Sequence, residues 1–262
     1  MFDKPLSITP EEVTAYKQDG YLVIPDAFSD SECDVAVDML MRHAVIAGNK
    51  DFAAVMNLDR PEEWKHIYGD SGNWVHVYVR QMLAKHPVLI TALEELHGCL
   101  PGDLVLMQTM FLYKKAGTLY GFQAWNPHQD GAHHGAPYGT TLTGNIIFTD
   151  QDVENGCMFI YPGSQHINTF LESKKVKSFH EKPGSKPGYD VSESLPDSLK
   201  ETKIDLPIKK GSLLVLHGGV IHGSYPNVSK DRDRPMYLAP YKTIGVPFSY
   251  GTDGKRIEIP IR

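Results

Sequence analysis

From Pro101 onward the chain is cut into short apolar runs, "LVLMQTMFLY", "TLTGNIIFT", "CMFIY", "SLLVLH" and "MYLAPY". Between them stand turn-rich stretches such as "KKAG", "DQDVENG", "YPGS" and "HGGVIHGSYPN". Strands this short, with no helical pattern between them, point to an antiparallel sandwich or barrel such as a jelly roll, not a βαβ sheet. The preceding hundred residues differ. Thr9, Pro10 and Glu12 form the start signal of a helix that Gly20 stops, and "YLVIP" reads as a short strand. Ser29 and Glu32 open a second helix through "CDVAVDMLMRHAVIAG", and "HPVLITALEELHG" reads as another. The expected fold class is mainly β with flanking helices, in a single domain over residues 1–262. Residues 167–205 are polar, rich in Lys, Ser, Glu and Pro, and weakly periodic, which predicts a lid or flexible insertion within that domain.

Composition excludes several function classes. A formal charge of -6 argues against nucleic-acid or anionic-membrane partners. The three cysteines, Cys33, Cys99 and Cys157, form no CxxC pair, so neither a zinc ribbon nor a disulfide framework is expected. With no secretory signal and no apolar run of about 18 residues, the expected setting is cytoplasmic, as a monomer or homodimer. The "NVS" sequon at 227–229 is then idle.

The chemistry gathers around "WNPHQDG" at 125–131. If this stretch is extended, His128 and Asp130 project to one side and Gln129 is a spacer pointing away. The bland reading is a hydrogen-bonded His–Asp pair. A third ligand is available in His222, which begins a turn after an apolar strand, whereas His217 is better read as a packed residue. Two imidazoles and a carboxylate make a facial triad suited to non-haem Fe(II), although spacing alone does not separate iron from manganese or zinc. Downstream, Arg232 reads as part of an exposed charged turn. Arg234 leads directly into a strand and suits a carboxylate-bearing co-substrate. Asp150, Asp152 and Glu154 read as a solvated turn. Trp125, Asn126 and His134 flank the pair and are the candidate substrate contacts, with His133 and Tyr138 nearby.

These segments together resemble the phytanoyl-CoA dioxygenase family of Fe(II)- and 2-oxoglutarate-dependent oxygenases. The resemblance is carried by "ITPEEVTAYKQDGYLVIPDAFSDSE", "QTMFLYKKAG", "PHQD", "TGNIIFTDQDVENGCMFIYPGSQH" and "GSLLVLHGGVIHGSYPNVSKDRDRPMYLAPY", in that order. It implies a double-stranded β-helix (a cupin-like jelly roll) buttressed by the N-terminal helices. His128, Asp130 and His222 then match the iron ligands and Arg234 the arginine for the 2-oxoglutarate C5 carboxylate, with Arg232 in reserve because the gap from His222 is one residue long. Gln108 and Lys114 match pocket-lining positions, Lys115 being the alternative to Lys114. The extra residue in "PGSQH" moves no role onto His166. The implied chemistry converts 2-oxoglutarate and O2 to succinate and CO2 while hydroxylating a small-molecule metabolite. Asp130 argues against halogenation, because the iron-dependent halogenases on this fold lack that carboxylate. The competing reading is a non-catalytic or 2-oxoglutarate-independent metal-binding jelly roll, cupin-like, which has no use for Arg234.

Overall fold

A computed structural model describes residues 7–46, 55–56, 74–176, 188–249 and 257–262. Among these, the N-terminal part supplies helices α1 (Pro10–Asp19), α2 (Asp30–Ile46), α3 (Trp74–Tyr78) and α4 (Pro87–His97), with strands β1 (Tyr21–Ile24) and β2 (Val55–Met56). The expected caps form. The Thr9 hydroxyl accepts the Glu12 N–H at 3.2 Å and the Glu12 carboxylate accepts the Thr9 N–H at 2.7 Å, closing a capping box. Ser29 and Glu32 repeat the arrangement at α2. Gly20 ends α1 with φ 81°, and a Cβ there would lie 2.3 Å from Gln165 Oε1. The Gln165 amide donates to the Lys17 and Gln18 carbonyls at 3.0 Å each, so the residue added to the "PGSQH" turn closes the end of α1.

The remaining strands are β3 (Leu104–Leu106), β4 (Met110–Lys114), β5 (Trp125–Gln129), β6 (Thr141–Ile147), β7 (Met158–Tyr161), β8 (Lys174–Val176), β9 (Gly188–Asp190), β10 (Ile204–Leu206), β11 (Leu213–His217), β12 (Ile221–Ser224), β13 (Arg234–Thr243) and β14 (Ile259–Pro260). An eight-stranded sheet runs β1-β11-β6-β13-β3-β14, with β4 also paired to β13 and β2 to β4. A four-stranded sheet runs β10-β7-β12-β5. The ladders in both are antiparallel. This is the jelly roll that the short strands predicted.

Side-chain alternation sorts the residues into three layers. Leu213, Val215, Tyr237, Tyr241, Phe111 and Ile146 face the helices and pack with Leu89 and Leu93. Leu214, Leu216, Met236, Leu238, Leu112 and Ile160 fill the space between the two sheets. The third layer lies outside the four-stranded sheet, where Phe159, Tyr161 and Ile221 pack with Val191 and Leu195.

Two expectations need correction here. "LVLMQTMFLY" is not one strand, because it breaks at residues 107–109 opposite Pro240. The Pro240 carbonyl accepts the Met107 N–H at 3.0 Å, but proline has no N–H to return, so the ladder cannot continue unbroken. The described parts of 167–205 are also more ordered than their composition suggests. They hold the β8–β9 hairpin, short helical turns at Ser192–Ser194 and Asp197–Lys200, and the start of β10. Their sparse apolar side chains, Leu171, Val191, Leu195 and Leu199, cover the outer face of the four-stranded sheet. The centre of the predicted lid, 177–187, lies outside the described residues.

Burial also makes the fold sensitive to acid. It lowers the pKa of His86, His97 and His217, the last to about 4 with further lowering from His97 and His166. In each case the folded pKa sits below the unfolded value near 6.5. The unfolded chain therefore binds more protons in between, and stability is complete above about pH 6.5 and falls as pH drops through the folded values. Urea midpoints should fall from pH 7 to pH 4.5, with His217 alone contributing on the order of 2 kcal/mol. His217→Asn, which keeps an acceptor for the Gly219 N–H now 3.0 Å from Nδ1, should flatten that fall. An unchanged slope would remove His217 from the account.

Candidate metal centre

Strand β5 is the edge of the four-stranded sheet and pairs His128 with His222 of β12. The register then shifts, so that Ser224 faces Trp125. Pro127 suits such an irregular edge, because it has no N–H to place in a ladder. The shift matters because it re-aims a side chain: by register Trp125 lies on the face shared by Ser224 and His222. Asp130 is not in the strand, as the period argument supposed, but is the first residue of a short helix, Asp130–His134. The turn of the chain from strand to helix keeps its carboxylate beside the two imidazoles. Gly131 permits it: a Cβ there would sit 2.8 Å from the Gly218 carbonyl and 2.9 Å from the Phe170 ring.

Three donor atoms converge. Asp130 Oδ1 lies 3.5 Å from His128 Nε2 and 3.7 Å from His222 Nε2, and one ligand atom from each residue falls within a 4.8 Å group. Adjacent vertices of an octahedron built on bonds of about 2.1 Å are about 3 Å apart, so a small inward movement would complete a face. The outward-facing atoms are already held. His128 Nδ1–H donates to the Asn126 carbonyl at 2.7 Å and His222 Nδ1–H to the Val220 carbonyl at 3.2 Å, which leaves both Nε2 lone pairs free for a metal. Thr143 donates to Asp130 Oδ2 at 2.8 Å and leaves Oδ1 pointing inward. The donor set is two imidazole nitrogens and one carboxylate oxygen, which fits Fe(II) with one face open.

Charge reinforces the geometry. Burial lowers the His222 pKa to about 4, against Asp130, so this imidazole is neutral and ready to ligate. Burial pulls His128 the same way, but Asp130 and the Asn126 carbonyl outweigh it and raise its pKa. Burial would raise the Asp130 carboxyl, yet His222, His128 and His134 together hold it well below the usual carboxylate range.

Deeper between the sheets, Arg234 and Lys114 face each other across the β13–β4 ladder. Arg234 is 1% exposed, its Nε has no hydrogen-bond partner, and no described carboxylate pairs with it. Burial lowers even its pKa, to about 10. Lys114 is equally buried, donating to Ser224 Oγ at 2.8 Å and to the Tyr225 carbonyl, and burial together with Arg234 pulls its pKa well down. A buried pair of cations without an anion is the arrangement a dicarboxylate would complete. Gln108 is buried in the break between β3 and β4. Lys115 lies past the strand end and is part-exposed.

The sequence of this barrel can now be placed. The pattern of the phytanoyl-CoA dioxygenase (PhyH) family matches residues 16–236. The chain belongs to the phytanoyl-CoA dioxygenase family. It is therefore an enzyme of the dioxygenase type, and the family uses Fe(II), 2-oxoglutarate and O2. Phytanoyl-CoA dioxygenase domain-containing protein 1 of Danio rerio is 26% identical over 269 residues, covering 88% of each chain. The solved structure of the non-heme alpha-ketoglutarate-dependent carbocyclase SnoK aligns at TM-score 0.70 and 19% identity, over 94% of this chain and 88% of that one. The epimerase SnoN, solved with Fe3+, alpha-ketoglutarate and nogalamycin RO, aligns at TM-score 0.66 and 19% identity over 91% and 84%. Both share the fold of this family member.

The structure places the residues between which the motifs left a choice. Arg232 is outside: it forms ion pairs with Asp152 and Glu154 at 2.6 Å, and its side chain is 40% exposed. Those two carboxylates and Asp150, which pairs with Lys209 at 2.6 Å, are thus ion-paired and not merely solvated. His217 is not among the three converging residues and stacks near Tyr138, with ring centroids 6.0 Å apart. Trp125 and His133 flank His128, at 6.3 and 5.8 Å between centroids, and His133 touches Tyr189 at 4.5 Å. His134 is buried and Asn126 half-buried.

Several participants were missed in the sequence. Thr143 and Ser224 are recognisable only once strand parity is known. Asn227, in the idle sequon, is fully buried: its amide donates at 2.8 Å to both the Lys114 and Arg232 carbonyls, tying the two cation-bearing strands together. Among the described residues, no helix is long and apolar enough to cross a membrane.

Proposed function

We propose that this family member is a hydroxylase of a small-molecule metabolite, with His128, Asp130 and His222 as the iron ligands. Arg234 binds the C5 carboxylate of 2-oxoglutarate in this reading, and Lys114 and Gln108 line the same pocket. The observation that carries it is the fully buried Arg234 on the interior side of the strands, with no carboxylate paired to it among the described residues. A cupin-like protein that uses no 2-oxoglutarate has no reason to maintain it.

The bound iron supplies the redox chemistry that couples decarboxylation of 2-oxoglutarate by O2 to oxidation of a substrate C–H bond. The protein's own part is positioning. Arg234 offers a bidentate fork that fixes the co-substrate's far end, and Lys114 adds a second positive charge in a site closed to water. The Asn126 and Val220 carbonyls and Thr143 hold the three ligands in one orientation. Asp130 occupies the position whose loss makes room for a halide in the halogenases, which favours hydroxyl delivery. Trp125, Asn126 and His134 flank the candidate ligands in the chain and are the substrate contacts of this reading.

Anaerobic addition of Fe(II) and 2-oxoglutarate should produce a weak visible charge-transfer band, and admission of O2 should release succinate slowly without substrate. A protein showing neither would sink the oxygenase reading. A metabolite screen scored by stimulation of succinate release then identifies the substrate.

A further inference from the structure

We propose that Gln129, the residue between the two candidate ligands in "HQD", is a positioning residue for the metal. This inference rests on the assignment of His128, Asp130 and His222 as ligands. Strand alternation turns Gln129 away from them, onto the outer face of the four-stranded sheet beside Ile221. There it is not a spacer. It is 1% exposed, and its amide is used at both ends. Nε2–H donates to the Gly219 carbonyl at 2.8 Å and to the Thr169 carbonyl at 3.2 Å, while Oε1 accepts the Leu171 N–H at 2.8 Å.

These partners belong to two separate stretches of chain. Gly219 lies in the turn that leads to His222 three residues later. Thr169 and Leu171 open the excursion that returns as β9. Its far end is also tied to β5, since the Val191 N–H donates to the Pro127 carbonyl at 2.9 Å. One further bond joins the same parts: the Gly131 N–H donates to the Gly218 carbonyl at 2.7 Å. Beside the β5–β12 ladder, Gln129 therefore ties the junction between His128's strand and Asp130's helix to the turn that leads into β12 and His222. Removing it leaves the buried Gly219 carbonyl unpaired and frees the part-buried Thr169 and Leu171 backbone groups from β5, so those segments should loosen against one another.

Metal affinity separates this role from simple bracing. Gln165 is an internal control: it is a buried glutamine whose amide also clamps two backbone carbonyls, but at the end of α1, far in sequence from every ligand. Both Gln129→Met and Gln165→Met should lower the melting temperature. Only Gln129→Met should weaken anaerobic Fe(II) binding, by about 10- to 100-fold, as expected when the groups that orient metal ligands are lost. It should also shift the visible bands of the Co(II)-loaded protein. Gln129→Asn keeps the amide but shortens its reach to Gly219, Thr169 and Leu171, so it should fall between, and it serves if the methionine variant does not fold. Wild-type affinity in the Gln129 variants, or an equal loss in Gln165→Met, overturns the proposal. Wild-type protein that binds no Fe(II) overturns the ligand assignment itself, and this inference with it.

Discussion

Arg234→Met should abolish 2-oxoglutarate binding and at the same time make the apoprotein more stable. Removing a guanidinium from a buried charge pair with carboxylate typically costs about 2–5 kcal/mol of binding, so the KM for 2-oxoglutarate should rise by about 30-fold to a few thousand-fold. The gain in stability has the opposite cause. In the free protein the guanidinium is buried without an anion, with Lys114 opposite it. Replacing an uncompensated buried charge with an apolar side chain of similar length should stabilise by about 1–3 kcal/mol. For a chain of this size that is a rise of roughly 2–8 °C in melting temperature. Calorimetry with and without 2-oxoglutarate checks both halves: the wild type should be protected by the co-substrate and the variant should not. A variant that melts lower than wild type and is still protected contradicts the assignment. Arg232→Ala is the companion, because its ion pairs are on the surface and the KM should stay within about twofold.

Asp130→Ala should remove Fe(II) binding and all succinate release. The carboxylate is the only anion in the converging group, and its Oδ1 lies between both Nε2 atoms. Without it, two neutral imidazoles remain, and affinity should fall by more than the 10- to 100-fold typical of losing a group that merely orients a ligand. Isothermal titration with Fe(II) under argon measures this directly. Thr143→Val provides the scale, since it removes only the hydrogen bond to Oδ2 and should cost about 10-fold. An alanine variant that still binds Fe(II) as tightly as Thr143→Val would show that Asp130 is no ligand.

Residue order was enough to pick out the three residues that converge and the buried arginine, because HxD, a distal histidine and a strand-leading arginine have regular places in the resembled jelly roll. Arg232 and Arg234 share strand parity, so what separates them is where β13 begins. Residues 234, 236 and 238 of β13 alternate inward together, and a residue two positions upstream is already in the turn. Less visible were features that depend on contact between distant segments. Nothing local announces that Pro127 accompanies a register shift which re-aims Trp125, or that the chain turns helical at Asp130. The polar segment after Ile167 hid its structure for the same reason. Four apolar residues spread over some thirty positions carry no period, yet they converge once Phe159, Tyr161 and Ile221 offer a surface. Gln129 was misjudged because only its direction was legible, not what it met there.

The anion-free cation pair between the sheets also bears on how this sequence has been kept. Most single changes in a protein interior lower stability, so drift is normally resisted by the fold itself. At Arg234, whose Nε has no partner among the described residues, the fold offers little such resistance, and an apolar replacement should run thermodynamically downhill. A lineage released from the need to hold a dicarboxylate would be free to lose this arginine and gain a sturdier barrel. Both cations stand here, fully buried, as the proposed dicarboxylate pocket requires.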